Sequence, residues 1–154
     1  FYTPSAMTTS ADIYAHYDDQ EGLLSMKVSG IVNFEDMTES LRLLCENDKL
    51  SRNLRILEDA REARITFTEK QIPELIARIR KVEKKYQSIR HAVIHTDPIN
   101  TALALLMSRH LGPQRYELEV FSTESGARLW LKQFSYANEP IIENGQAVTP
   151  DAPR

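Results

Sequence analysis

The sequence is short of the residues that build the commonest reaction centres. Its five glycines are scattered, and none forms the glycine-rich loop that cradles a phosphate. No serine or cysteine stands in a nucleophile motif, so an enzyme is not expected, nor is a cofactor. Cys45 is the single cysteine, which excludes an internal disulfide. Set among Met37, Leu41 and Leu44, it reads as a small buried apolar residue in a protein of a reducing compartment. No apolar run approaches the ~20 residues of a membrane span, and no charged-then-apolar secretory leader is present. The expectation is a soluble cytoplasmic protein without a transmembrane segment. Neither sign of charge dominates: 19 Lys and Arg stand against 22 Asp and Glu, a net charge of -3, so nucleic acid is not the expected partner.

What is present is enough for one core. The chain has 154 residues, of which 42% are hydrophobic, long enough for one domain and too short for two. Residues 1–10 read as an unstructured lead and 11–134 as the domain. Residues 135–154, with Pro140, Gly145, Pro150 and Pro153, read as an irregular tail. The organising stretch is 53–86, where strand periodicity gives way to helix periodicity. Leu54 and Ile56 alternate with Arg55 and Leu57 over 53–59, whereas 59–64 shows no period and reads as a loop. Thr68 and Gln71 have capping-box spacing, while Pro73 favours a start near Ile72; both starts are open. Leu75, Ile76, Ile79, Val82 and Tyr86 then repeat at three and four residues, the mark of a helix with one buried face.

The rest consists of similar units. Ile13, Ala15 and Tyr17 alternate over 12–18, a turn at 18–22 follows, and Leu24, Met26 and Val28 alternate over 23–29, which predicts a hairpin. Asn33 caps a helix carrying Phe34, Met37, Leu41 and Leu44. A strand over 91–96 leads to Asp97 and Pro98, a cap and a proline at the first helical position, and that helix stops at Gly112. A last strand spans 116–121, and Thr123 caps a final helix with Ala127, Trp130, Leu131 and Phe134 inward. Strands joined through helical crossovers are parallel and right-handed. The expected fold is therefore α/β: a single domain with a mixed five-stranded sheet, whose first strand is antiparallel and whose other four are parallel. The later strands alternate, so the helices should lie mainly on one face, against Leu24, Met26, Leu54, Ile56, Ala92, Ile94, Leu118 and Val120. Lys27, Arg55, Leu57, His91, Val93, His95, Glu117, Glu119 and Phe121 would carry the other face.

The segments GLLSMKVSG, NFEDM, LRILEDAR, TEKQI and VFSTESGARLWL, in that order, resemble the SpoIIAA-like branch of the STAS family, across residues 13–134. The resemblance implies a β-α superhelix with an antiparallel first strand and no catalytic centre. In the anti-sigma-factor antagonists of that family a serine follows the aspartate at the end of the third strand and is phosphorylated. The aspartate matches Asp59, but Ala60 follows it, so the switch does not carry over. Thr66 and Thr68 read as loop and cap residues.

Four candidate sites follow. His91 and His95 lie ~13 Å apart on a strand, too far to share an ion, so no metal site is expected. Asp59, Arg61, Arg64, His95, Asp97 and Thr123 should gather at the carboxyl ends of the parallel strands, where helix N-termini favour an anionic ligand or partner. Arg78, Lys81, Lys84 and Lys85 form a basic surface, in a run that also holds Arg80 and Arg90. The helix 99–111 carries more apolar surface than one stripe needs, with Leu105 as a candidate dimer face. The expected function is a non-catalytic regulatory or protein-interaction module, with a protein partner that includes a second copy of itself. The alternative is a binder or sensor of a small apolar or anionic ligand such as a lipid, and an enzyme using His95 is the distant third.

Overall fold

A computed structural model describes residues 11–133, together with the backbone of 141–143 and 146–148. The elements run β1 (Asp12–Asp18), β2 (Leu23–Val32), α1 (Phe34–Glu46), β3 (Asn53–Ile65), α2 (Ile72–Glu83), β4 (Ser88–Ile94), α3 (Pro98–Leu111), β5 (Tyr116–Phe121) and α4 (Glu124–Lys132). A separate antiparallel pair, β6 (Ile141–Glu143) and β7 (Gln146–Val148), lies in the segment read as an irregular tail. The main sheet has five strands in the order β1-β2-β3-β4-β5. β1 pairs with β2 antiparallel, and every later pair is parallel. The mixed α/β sheet is thus as its sequence pattern predicts.

Local chemistry sets the boundaries. The hairpin turns on Gly22 at φ 59, with Asp18 Oδ1 accepting from the Gln20 and Glu21 amides. Asn33 and Asp36 form a reciprocal capping box, with bonds of 2.8 and 2.9 Å that start α1. Both expected starts of the next helix are realised in succession. Gln71 Oε1 accepts from the Thr68 amide across a single 3-10 turn, Glu69–Gln71, and α2 follows at Ile72 with Pro73 in its first turn.

The reading of 59–64 as a loop is corrected, because β3 continues to Ile65. The register with β2 shifts between Lys27 and Ser29, where Lys27 faces Asp59 but Ser29 faces Glu62. One extra residue on β3 makes a bulge, and a bulge flips the alternation. Inward positions run Leu54, Ile56, Glu58, Ala60 and then Ala63 and Ile65, a phase change that hides the strand from a period-two test. Beyond the end of β4, the buried Asn100 of α3 partners this extension. Its Nδ2 donates to Ala63 O at 2.9 Å, and its Oδ1 accepts from the Ile65 amide at 3.3 Å.

The phase expected for β4 is also corrected. Ile56 lies opposite His91 and Glu58 opposite Val93, so His91 and Val93 share the face of Ile56 and Glu58. Ala92 and Ile94 point the other way, where with Leu57 they meet Ala127 and Leu131 of α4. Three helices thus cover one face and α4 covers the other at β3 and β4. Both faces of β4 are occupied, so the histidines that read as a polar outer face are turned inward. Arg55, expected on the face away from the main helices, is buried under the end of α4. It donates to Leu131 O at 3.4 Å and pairs with Glu21 at 3.1 Å. Ala127 is buried and Trp130 half-buried, as expected for inward positions, while Phe134 lies outside the described residues.

Candidate functional site

The larger core does not close beneath α1. Only Leu41 of that helix is buried, while Phe34, Met37 and Leu44 are half-buried. α1 packs chiefly on α2, and its C-terminal end is held there by Tyr86, whose hydroxyl donates to Leu44 O at 2.8 Å, and by Lys85 Nζ bonded to Cys45 O. Between α1 and the sheet lies a cavity of about 730 Å³. Its roof is Met37, Leu41 and Leu44, one side is Leu103, Ala104 and Met107 of α3, and its floor is β1 to β5. It is open at the edge formed by β1 and α1, where the lining residues Ile13 and Leu43 are 42% and 54% exposed. This volume falls within the roughly 300–1,000 Å³ of small-molecule sites and far above the voids that packed cores leave.

The floor carries a short polar chain from three adjacent strands. His91 Nε2 lies 2.6 Å from Glu58 Oε2, and His91 Nδ1 lies 2.6 Å from Tyr116 Oη. Tyr116 is buried, and His91 Nδ1 is the one hydrogen-bond partner of its hydroxyl among the described residues. An ionised Glu58 only accepts, so His91 donates to it from Nε2. Burial pushes the Glu58 carboxyl up, but the hydrogen bond from His91 and the fields of His91 and His95 outweigh it and hold the acid below its ordinary range. Burial, followed by the nearby Glu58, pushes the Tyr116 hydroxyl far up, so it stays protonated. His95 forms part of the same wall and is 4% exposed. Burial lowers its basicity, against the raising effects of Glu58 and of a hydrogen bond to the Ala60 carbonyl. Its buried Nδ1 has no hydrogen-bond partner among the described residues.

The strand-end residues separate into different jobs. Asp59 and Arg61 come together in a bidentate pair at 2.9 and 2.7 Å, which holds the Asp59 carboxyl low. Asp97 caps α3 through the Asn100 amide at 2.9 Å, and Thr123 caps α4 through the Gly126 amide at 3.2 Å. Arg64 is exposed, and His95 is turned into the cavity. In the basic run, Arg78 pairs with Glu74 at 3.0 Å and Lys85 with Asp48 at 2.8 Å, while Lys81 and Lys84 are exposed. Leu105 is 43% exposed on α3, beside Ile99 at 76%. No group of acidic, histidine or cysteine residues suited to a metal ion occurs among the described residues, and no helix there is long and apolar enough to cross a membrane.

Sequence reasoning missed Glu58 and Tyr116. Glu58 falls in the inward phase of Leu54 and Ile56, so a carboxylate at a core position was the available signal. Tyr116 carried none, because an inward aromatic at the start of a strand reads as packing.

No family model and no curated protein matches this chain. Solved structures do resemble it, two of them as follows. One is an uncharacterized protein of the DUF3478 family with a SpoIIAA-like fold from Shewanella loihica PV-4, at 17% identity, covering 79% of this chain and 93% of that one, with a TM-score of 0.51. The other is an anti-sigma factor antagonist from Mycobacterium paratuberculosis, at 13% identity, covering 79% and 95%, with a TM-score of 0.50. At such identities the likeness bears on architecture alone, and with the strand order and the antiparallel first strand it leads to one statement: this chain has the SpoIIAA-like fold.

Proposed function

We propose that the protein is a non-catalytic regulatory module whose input is a small, largely apolar molecule held between α1 and the sheet. The observation that carries this reading is the cavity of about 730 Å³, walled by aliphatic side chains and open at the β1–α1 edge. A ligand there would contact the half-buried face of α1, so occupancy would stabilise that helix in place. Against catalysis stands the composition of the wall. The polar chain of Glu58, His91 and Tyr116 holds no serine, threonine or cysteine, and the lining Ser40 hydroxyl is committed to Asp36 O at 3.1 Å. The output of such a module is a protein contact. The strand-end surface with Arg61 and Arg64 is one candidate, and the exposed Ile99 and Leu105 of α3 favour another, self-association.

The test is direct. Protein purified without detergent is extracted with organic solvent, and the extract is analysed by mass spectrometry, alongside a titration with the neutral dye Nile red. A near-stoichiometric apolar compound, or saturable dye binding that Ala104→Trp removes, supports the reading. An empty extract together with no saturable dye binding contradicts it.

A further inference from the structure

The anionic groups in the cavity wall have no lysine or arginine among them. None lines the cavity among the described residues, and besides Tyr17 and Tyr116 its ionisable lining is Asp36, Glu46, Glu58, His91 and His95. At the floor, Glu58 bonds to His91 Nε2 and His91 Nδ1 bonds to Tyr116, both at 2.6 Å. Glu58 uses only Oε2 in its bond to His91, and no partner of Oε1 is found among the described residues. The wall also contains the unpartnered Nδ1 of His95, a ring nitrogen that can serve as an acceptor. A carboxylate set in a largely apolar wall with one oxygen unpartnered can take a further hydrogen-bond donor.

From this geometry, and resting on the cavity reading above, we propose that the ligand is an apolar molecule with a cationic, hydrogen-bond-donating head, an alkyl ammonium type, whose head meets Glu58 at the floor while its chain runs out under α1. An ammonium group has three donors and no acceptor, the complement of a floor that offers a carboxylate oxygen and an imidazole nitrogen. A fatty acid or a phosphate head would place a second anion against Glu58 with no lysine or arginine in the wall to receive it. The small anionic ligand considered from sequence is therefore disfavoured in this cavity. The chemistry of recognition is a charge-assisted hydrogen bond in a water-poor site, with selectivity set by rejection of the wrong sign.

Isothermal titration of the full chain at neutral pH with decylamine, decan-1-ol and decanoate, below their aggregation limits, tests this. Wild type should bind decylamine about tenfold more tightly than decan-1-ol, the difference between a charged and a neutral hydrogen bond, with decanoate weakest. Glu58→Gln should remove that tenfold preference, so that decylamine binds no more tightly than decan-1-ol. Decan-1-ol or decanoate binding as tightly as decylamine overturns the cationic assignment and leaves the cavity reading standing. A preference for the amine that survives in Glu58→Gln overturns the role of Glu58. No binding by any of the three overturns the cavity reading itself. The ranking in wild type decides the question even if Glu58→Gln does not fold.

Discussion

Two neighbouring aliphatic residues on β3 provide a test of the space beneath α1. Leu54 and Ile56 are 0% and 1% exposed and point the same way, but Ile56 lines the cavity and Leu54 does not. Cutting either to alanine removes three carbons, with a transfer cost of about 2.4 kcal/mol at ~0.8 kcal/mol per methylene. At Leu54 the vacated volume is closed on all sides, so a cavity term is added and the total is about 3–5 kcal/mol. At Ile56 the vacated volume joins an existing solvent-reachable space, and the cost stays near the transfer value, about 2–3 kcal/mol. Urea unfolding of Leu54→Ala and Ile56→Ala should separate them by about 1–2 kcal/mol at unchanged m-value. If Ile56→Ala costs as much as Leu54→Ala, the core beneath α1 is closed and the cavity is absent in solution.

Three further outcomes are expected. His95 is held neutral by burial, below its ordinary value of 6.5. The unfolded chain therefore binds the extra proton first, and stability should be full above pH 6.5 and fall as the pH drops below it; His95→Gln should flatten that limb in denaturation measured between pH 7.5 and 5. Asn100→Leu strands the Ala63 carbonyl and the Ile65 amide, and should cost about 2 kcal/mol or more in urea unfolding; a change below about 0.5 kcal/mol would show that water replaces the side chain. Leu105→Glu should leave stability within about 0.5 kcal/mol and convert any dimer to monomer by light scattering; unfolding would place Leu105 in the core, and an unchanged dimer would move the contact elsewhere.

The order of elements was readable from sequence because most were bounded by strong local chemistry: Gly22, the Asn33–Asp36 box, Asp97 with Pro98, Gly112 and Thr123. Two features escaped it, and both are tertiary. The bulge in β3 breaks the period of two at the place where a loop looked natural, because a register shift is a property of the pair and not of one strand. The face of β4 depends on α4 folding back to the second side of the sheet, which buries Leu57, Ala92 and Ile94 and turns His91 and His95 inward. With that phase reversed, the polar floor could not be assembled from sequence, although His95 was singled out. The strand-end residues were placed by the parallel topology, yet Asp97 and Thr123 serve their helices and Asp59 holds Arg61.

The central claim is that an apolar molecule occupies the space between α1 and the sheet. Methyl-resolved NMR during a titration with decan-1-ol tests it most directly, because the two cores provide internal controls. The account predicts saturable shifts in the methyl signals of Met37, Leu41, Val93 and Met107, with those of Leu57, Ile94 and Leu131 unmoved. Shifts confined to the second set, or none in either, would contradict it.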